Sequence, residues 1–296
     1  MDKKRVILDT DIGDDIDDAY ALAFLLSSPD VQLEGVCTVH GAVEQRARLA
    51  RKLLRVAGRE DVPVIIGLTG GGDPSAMPNQ APWASDTEIS TCGRDPVGFV
   101  GDRVAASPGQ IYLAAIGALT NVGALLRDRP RTAKQLAGLF VMGGSIYRGY
   151  SVADRPQAEY NIRCDPAAAR TVFAAGANLT LVPLDVTMST RLSDEHMKRI
   201  GESQAPLARA LTALLPLWRK ASGHNPILHD PLTAAMVVNP TLCATRNMRI
   251  EVADDGMTQP VEGGKPNARV CLQVDAERFF EFYLSRLLGG AGKATA

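Results

Sequence analysis

The run Val6-Ile7-Leu8-Asp9-Thr10-Asp11-Ile12-Gly13-Asp14-Asp15-Ile16-Asp17-Asp18-Ala19-Tyr20-Ala21-Leu22 carries three instructions in succession. Val6 to Leu8 reads as a short buried strand. Asp9 to Asp18 crowds six carboxylates into ten residues. Asp17 to Leu26 is helical in composition and stops at Pro29-Asp30. A strand that empties into an acidic turn and then a helix is the opening of an α/β fold, in which ligands bind beyond the carboxyl ends of the strands.

The alternation continues outward from there. Strand-like runs are expected at Val31 to Val39, Val62 to Ile66, Gln110 to Ile116, Gly138 to Met142 and Leu179 to Leu184. Helical patterns separate them at Val43 to Ala57, Thr120 to Arg127, Pro166 to Ala175 and Ser193 to Ile200. Such alternation predicts an open, mostly parallel, Rossmann-like sheet with helices on both faces. Leu207 to Ile227 reads as a helix broken by Pro216, and Leu232 to Val238 as a helix capped by Asp230-Pro231. Met248 to Val252 and Arg269 to Val274 suggest a late strand pair, followed by a closing helix, Ala276 to Leu288, and a frayed tail, Gly289 to Ala296. Gly67 to Asp95 is too long for a simple connector, and such loops are usually functional. Without internal repeat or linker, residues 1–296 are expected to form a single domain.

Composition removes several function classes. The 296 residues hold 32 Lys+Arg against 33 Asp+Glu, so no basic excess drives nucleic-acid binding. No stretch approaches the roughly 20 apolar residues of a membrane span, and three apolar residues after Met1 to Arg5 make no signal-peptide core. The expected location is cytoplasmic. Cys37, Cys92, Cys164, Cys243 and Cys271 show no C-x-x-C spacing and read as buried reduced thiols.

The acidic turn holds the main chemistry. Carboxylates this close repel unless a cation or many hydrogen bonds offset them. Oxygen ligands suit Ca²⁺ or Mg²⁺ rather than zinc. The bland alternative is a solvated loop in which Asp17 or Asp18 caps the next helix. The turn does not fit an EF-hand, since Asp14 stands where the Gly is required. A second signal is His229-Asp230-Pro231, where an imidazole beside a carboxylate suits proton transfer. Gly117-Ala118-Leu119-Thr120-Asn121 runs off a strand into a helix that faces the same crevice. Glu159-Tyr160-Asn161 offers partners for sugar hydroxyls.

These segments occur together and in one order: Asp9-Thr10-Asp11-Ile12-Gly13, Asp17-Asp18-Ala19-Tyr20-Ala21-Leu22, Leu119-Thr120-Asn121, Met142-Gly143-Gly144, Ala158-Glu159-Tyr160-Asn161, Val182 to Thr187 and His229-Asp230-Pro231. From Val6 to about Val238 the chain resembles the inosine-uridine preferring nucleoside hydrolases. The resemblance implies a Ca²⁺-dependent hydrolase that cleaves the N-glycosidic bond of ribonucleosides to ribose and free base. It also implies a homodimer or homotetramer, with no nucleic-acid or membrane partner. By resemblance Asp11, Asp18 and Asp230 ligate Ca²⁺ through carboxylates and Thr120 through its carbonyl. Asp11 is also the base on a metal-bound water, ahead of an oxocarbenium-like transition state. Asp17, Glu159 and Asn161 hold the sugar hydroxyls, Met142 lines the pocket, and His229 assists the departing base.

The chain also departs from that family. Asp14-Asp15-Ile16 lengthen the acidic turn, and Asp15 rivals Asp17 for the sugar role. Ala42 stands where the family usually has Asn, with His40 close by, and Cys92-Gly93 replaces a His-Gly in the long loop. Altered base recognition is therefore expected. Two rival readings are a haloacid-dehalogenase-like phosphatase with Asp9 as nucleophile, and a non-catalytic nucleoside- or ribose-binding relative.

Overall fold

The first strand, β1 (Lys4–Thr10), alternates its burial between two cores: Val6 and Leu8 face one, Ile7 the other. Period-two alternation with both faces apolar is the mark of a strand covered on both sides. The same split recurs at every central strand, and it dictates a three-layer arrangement. The computed structural model describes residues 3–151 and 155–289, and the expected frayed tail lies outside the described residues beyond Gly289.

In chain order the first half comprises α1 (Asp17–Ser27), β2 (Val31–Thr38), α2 (Val43–Val56), β3 (Val64–Ile66), α3 (Pro96–Ala106), β4 (Ile111–Ala115), α4 (Thr120–Asp128), α5 (Thr132–Gln135) and β5 (Gly138–Met142). There follow α6 (Tyr160–Cys164), α7 (Pro166–Ala174), β6 (Leu179–Val182), α8 (Leu184–Thr187), α9 (Asp194–Glu202), α10 (Pro206–Arg219) and α11 (His229–Val238). β7 (Cys243–Val252), β8 (Thr258–Val261), β9 (Ala268–Val274) and α12 (Ala276–Gly289) complete the described chain. The strands form one sheet in the order β3-β2-β1-β4-β5-β6-β9-β7-β8. Pairing is parallel from β3 through β9, and β7 runs antiparallel to both β9 and β8. The expected open, mostly parallel α/β sheet is what forms.

Helices α1, α2, α10, α11 and α12 cover one face of the sheet, and α3, α4 and α7 the other. On the first face Phe24 of α1 stacks on Tyr283 of α12 at 5.6 Å between ring centroids. The Tyr283 hydroxyl donates to the Tyr20 carbonyl at 3.1 Å. Burying rings of this size contributes about 1.5–3 kcal/mol each, so α12 fixes α1, whose first turn carries Asp17 and Asp18.

The elements differ from expectation in several places: the late strand pair is a group of three, β7, β8 and β9, and the short helices α5, α6 and α8 were not expected. Helix α10 is not broken at Pro216 but continues to Arg219. Proline removes one N–H and clashes with the carbonyl four residues back, and here that occurs within the last turn. Helix α11 begins at His229 rather than Leu232, so Asp230 lies inside its first turn and is not the N-cap. Neither Asp17 nor Asp18 caps α1, whose N-cap residue is Ile16 without a side-chain bond. Helix α3 was not anticipated, although Asp95-Pro96 starts it as Asp165-Pro166 starts α7. In each case the Asp side chain accepts an amide three residues on, Gly98 at 2.7 Å and Ala168 at 3.0 Å.

Candidate active site

β1 sits between β2 and β4, so successive crossovers leave it in opposite directions. That reversal opens a crevice at the carboxyl ends of β1 and β4. The acidic turn occupies it. Gly13 has φ +134°, and a Cβ there would lie 2.8 Å from Pro78. Only glycine lets the turn fold this tightly under the long loop. Gln80, from that loop, donates its backbone N–H to the Gly13 carbonyl at 3.0 Å and its side-chain amide to the Asp15 carbonyl at 2.8 Å. Arg46, buried on α2, donates to the carbonyls of Asp11, Ile12 and His40 and to the Asp14 carboxylate. One buried guanidinium therefore holds the turn's backbone and offsets part of its charge.

Asp17, Asp18 and Asp230 are buried, and one carboxylate oxygen from each lies within 4.8 Å of the others. The Asp230 backbone N–H donates to Asp17 at 3.1 Å, and the Thr10 hydroxyl donates to Asp18. Burial, and then repulsion from neighbouring carboxylates that include Asp11 and Asp15, pushes all three carboxyl groups well above the ordinary carboxylate range. Uncompensated carboxylates in an all-oxygen donor set are what a hard divalent cation offsets, so the cluster fits Ca²⁺ or Mg²⁺. Asp11 shares the crevice, and burial raises its pKa to about 6 against the pull of Arg46.

Above the cluster opens a cavity of about 480 Å³, a size suited to a small ligand. Asp11, Asp15, Asp17, Asp18, Met142, Glu159, Asn161, His229 and Asp230 all line it. The turn, the β5 terminus and the α6 and α11 starts thus converge, although 213 residues separate Asp17 from Asp230. Glu159 caps α6: its carboxylate accepts the amides of Asn161 (2.9 Å), Gly144 (3.0 Å) and Ile162 (3.2 Å). Burial still raises its pKa to about 7. Asn161 donates to the Ile116 carbonyl at 2.9 Å and the Met142 carbonyl at 3.3 Å. Burial lowers the His229 pKa to about 4, and its Nδ1 lies 2.7 Å from the Thr187 hydroxyl.

Three expected residues lie outside the cavity lining. Thr120 starts α4 and donates its hydroxyl to Asp165 at 2.8 Å, whereas Ile116, at the end of β4, is the lining residue from that segment. His40 stands behind the wall, with Nε2 3.5 Å from the Tyr160 hydroxyl and 3.7 Å from the Cys164 thiol. Its φ of +67° is unusual for a side-chain-bearing residue. Cys92 is half-buried against the core, and burial raises its pKa. Cys164 is half-buried too, while Cys37, Cys243 and Cys271 are buried as expected. Asp9 is 2% exposed, accepts the Asn121 amide at 2.7 Å and does not line the cavity, so it cannot attack a phosphoester there. Residues that sequence reading missed are Arg46, Ile116, Thr187, and the cavity-lining Tyr150 and Arg163.

Comparison with known proteins places this geometry. Residues 6–281 match the profile described as inosine-uridine preferring nucleoside hydrolase. The chain is 29% identical to uridine nucleosidase 1 of Arabidopsis thaliana over 279 residues, covering 86% of this chain and 80% of that one. It is 30% identical to the non-specific ribonucleoside hydrolase RihC of Shigella boydii over 296 residues, covering 93% and 95%. Among solved structures it is similar to a plant nucleoside hydrolase, PpNRh1, with a TM-score of 0.84 at 28% identity over 96% of this chain and 99% of that one.

Proposed function

The chain belongs to the inosine-uridine preferring nucleoside hydrolase family, and from its reaction, hydrolysis of a ribonucleoside N-glycosidic bond, we propose how this chain's own residues divide the work. The observation that carries the proposal is the buried Asp17-Asp18-Asp230 cluster at the floor of a cavity that Asp11, Glu159, Asn161 and His229 also line.

Asp18 and Asp230 of that cluster, together with Asp11 from the same cavity lining, would hold a calcium ion through carboxylate oxygens. The Ile116 carbonyl takes the place that sequence reading assigned to Thr120, because Ile116 is the one of the two that lines the cavity. Such a cation would neutralise the crowded carboxylates, orient sugar hydroxyls and make water more acidic. Asp17, rather than the more exposed Asp15, receives a ribose hydroxyl. Glu159 and Asn161, held by the β5 and α6 backbone, receive the others, and Met142 packs beside the sugar. Asp11 accepts the proton of the attacking water. As the ribosyl–nitrogen bond breaks, positive charge grows on the ring, and the surrounding carboxylates stabilise it in a site shielded from bulk water. His229 meets the leaving base with a hydrogen-bond donor, a contribution of the kind worth about 10²–10⁴-fold in rate. The same reading carries a homodimer or homotetramer, which light scattering of the purified protein measures.

A reducing-sugar assay over a panel of purine, pyrimidine and non-standard ribosides, with and without chelator, tests the reading. Ribose release that chelator abolishes and added Ca²⁺ restores supports it. An unchanged rate in chelator removes the calcium assignment. Asp11→Ala is expected to abolish turnover, and full activity would remove the base assignment. Binding without ribose release would favour the non-catalytic relative.

A further inference from the structure

Thr187 ends α8, the turn that follows β6, and is fully buried. Its carbonyl accepts both the Thr190 hydroxyl, at 2.7 Å, and the Thr190 amide, at 3.0 Å. Its own hydroxyl meets one polar group among the described residues, His229 Nδ1 at 2.7 Å. A hydroxyl has one proton to give and two lone pairs to receive with. In a dry setting the proton cannot be left without an acceptor, whereas an idle lone pair costs less. Nδ1 is the acceptor present, so the Thr187 O–H donates and Nδ1 carries no proton. The ring proton of the neutral imidazole is thereby placed on Nε2, the nitrogen left to meet a ligand in the cavity that His229 lines.

We infer that Thr187 is a positioning residue: it holds His229 as the Nε2–H tautomer, so that a donor rather than a lone pair faces the leaving base. The inference rests on His229 being the group that faces that base. When the ribosyl–nitrogen bond breaks, the base takes the bonding electron pair, and the Nε2–H meets that charge at a ring nitrogen or carbonyl oxygen. The opposite tautomer would aim a lone pair at the same charge. A ring nitrogen held by a carboxylate would favour imidazolium, whereas a threonine hydroxyl does not. The arrangement suits bases that present an acceptor and leave as poor anions.

The experiment compares wild type with Thr187→Val, Thr187→Ser and His229→Ala on a cleaved ribonucleoside and on 4-nitrophenyl riboside, whose leaving group needs no donor. Thr187→Val is expected to lower kcat on the nucleoside by about tenfold to hundredfold, the scale of loss when an orienting partner is removed. Turnover of the nitrophenyl riboside should stay unchanged, and Thr187→Ser should recover nucleoside activity. Long-range ¹H–¹⁵N spectra of histidine-labelled protein, with only four histidines in the chain, should show the His229 Nε2–H form in wild type and a mixture in Thr187→Val. Equal loss on both substrates would mean general distortion and would overturn the inference. So would undiminished nucleoside turnover in Thr187→Val, or an Nδ1–H tautomer in wild type. Full nucleoside activity in His229→Ala would instead remove the His229 reading, and the role of Thr187 with it.

Discussion

Asp17, Asp18 and Asp230 show what single residues can and cannot announce. Six acids within ten residues are visible in the chain as written, and repulsion among them already demands a cation or donors. Thr120 lies outside the cavity lining, and no residue type could have announced which carbonyl lines it, because a backbone carbonyl has no residue-type signature. Any residue at the end of β4 offers one, and only the fold shows that it is Ile116 that reaches the cavity. Arg46 was equally silent, since an arginine on the apolar face of a helix looks like an error of pattern until its carbonyl partners are known. The raised pKa values of Asp18 and Asp230, both ligands in the proposed function, carry a consequence at this scale. Ligation requires ionised carboxylates, and groups raised above their ordinary range keep protons to higher pH, so protons compete with the cation. Calorimetric Ca²⁺ affinity is therefore expected to fall as pH is lowered, with proton release on binding. Asp18→Asn should weaken binding and release fewer protons.

At the scale of elements, helices and strands were read well where periodicity is strong and less well at their ends, where capping is a local contest. Pro216 looked like a helix breaker, yet packing on both sides of it carries α10 to Arg219. Replacing this exposed proline with alanine restores an amide donor and removes the clash, a gain of about 3 kcal/mol in an interior position, less about 1 kcal/mol from a freer unfolded chain. Pro216→Ala is thus expected to stabilise the protein by about 2 kcal/mol, read from urea denaturation. Strand β2 is tied to its neighbours through Glu34, whose buried carboxylate accepts Arg5 of β1 and Arg103 of α3, each at 2.7 Å. Burial alone would raise its pKa. The Arg5 hydrogen bond and charge, with those of Arg103, outweigh that and hold it below the usual range. A folded-state pKa below the unfolded one stabilises the fold above the unfolded value and is lost as pH falls through the folded one. Glu34→Gln should therefore lower stability by about 1–3 kcal/mol at pH 7, with the difference shrinking below about pH 4 in thermal melts followed across pH.

For the whole molecule the decisive fact is that the first turn of α1 meets the first turn of α11 across 213 residues of chain. A cation bound there would tie together two neighbouring helices on one face of the sheet and stabilise the fold by mass action, by about 2.7 kcal/mol at a hundredfold excess over Kd. Ca²⁺ is expected to raise the Tm of the wild type, chelator to reverse the rise, and Asp230→Asn to lose most of it. A Tm indifferent to both ions and chelator would mean that the cluster is held by hydrogen bonds alone. Among the described residues no helix is long and apolar enough to cross a membrane, in keeping with the absence of apolar runs in the sequence.

The chain by itself determined the alternation of strand and helix, the apolar residues that put both faces of the sheet under cover, and the identity of the acidic and His-Asp-Pro segments. These are properties of composition and period, which act over a few residues and survive without neighbours. Tertiary structure alone brought Ile116 rather than Thr120 to the cavity wall, gathered Asp17, Asp18 and Asp230 together, and set the Thr187 hydroxyl against His229. The same is true of Asp9: it belongs to the acidic run by sequence, but β1 turns it into the core beside Asn121. A contact across more than a hundred residues is set by strand order and helix packing, and no local signal encodes it.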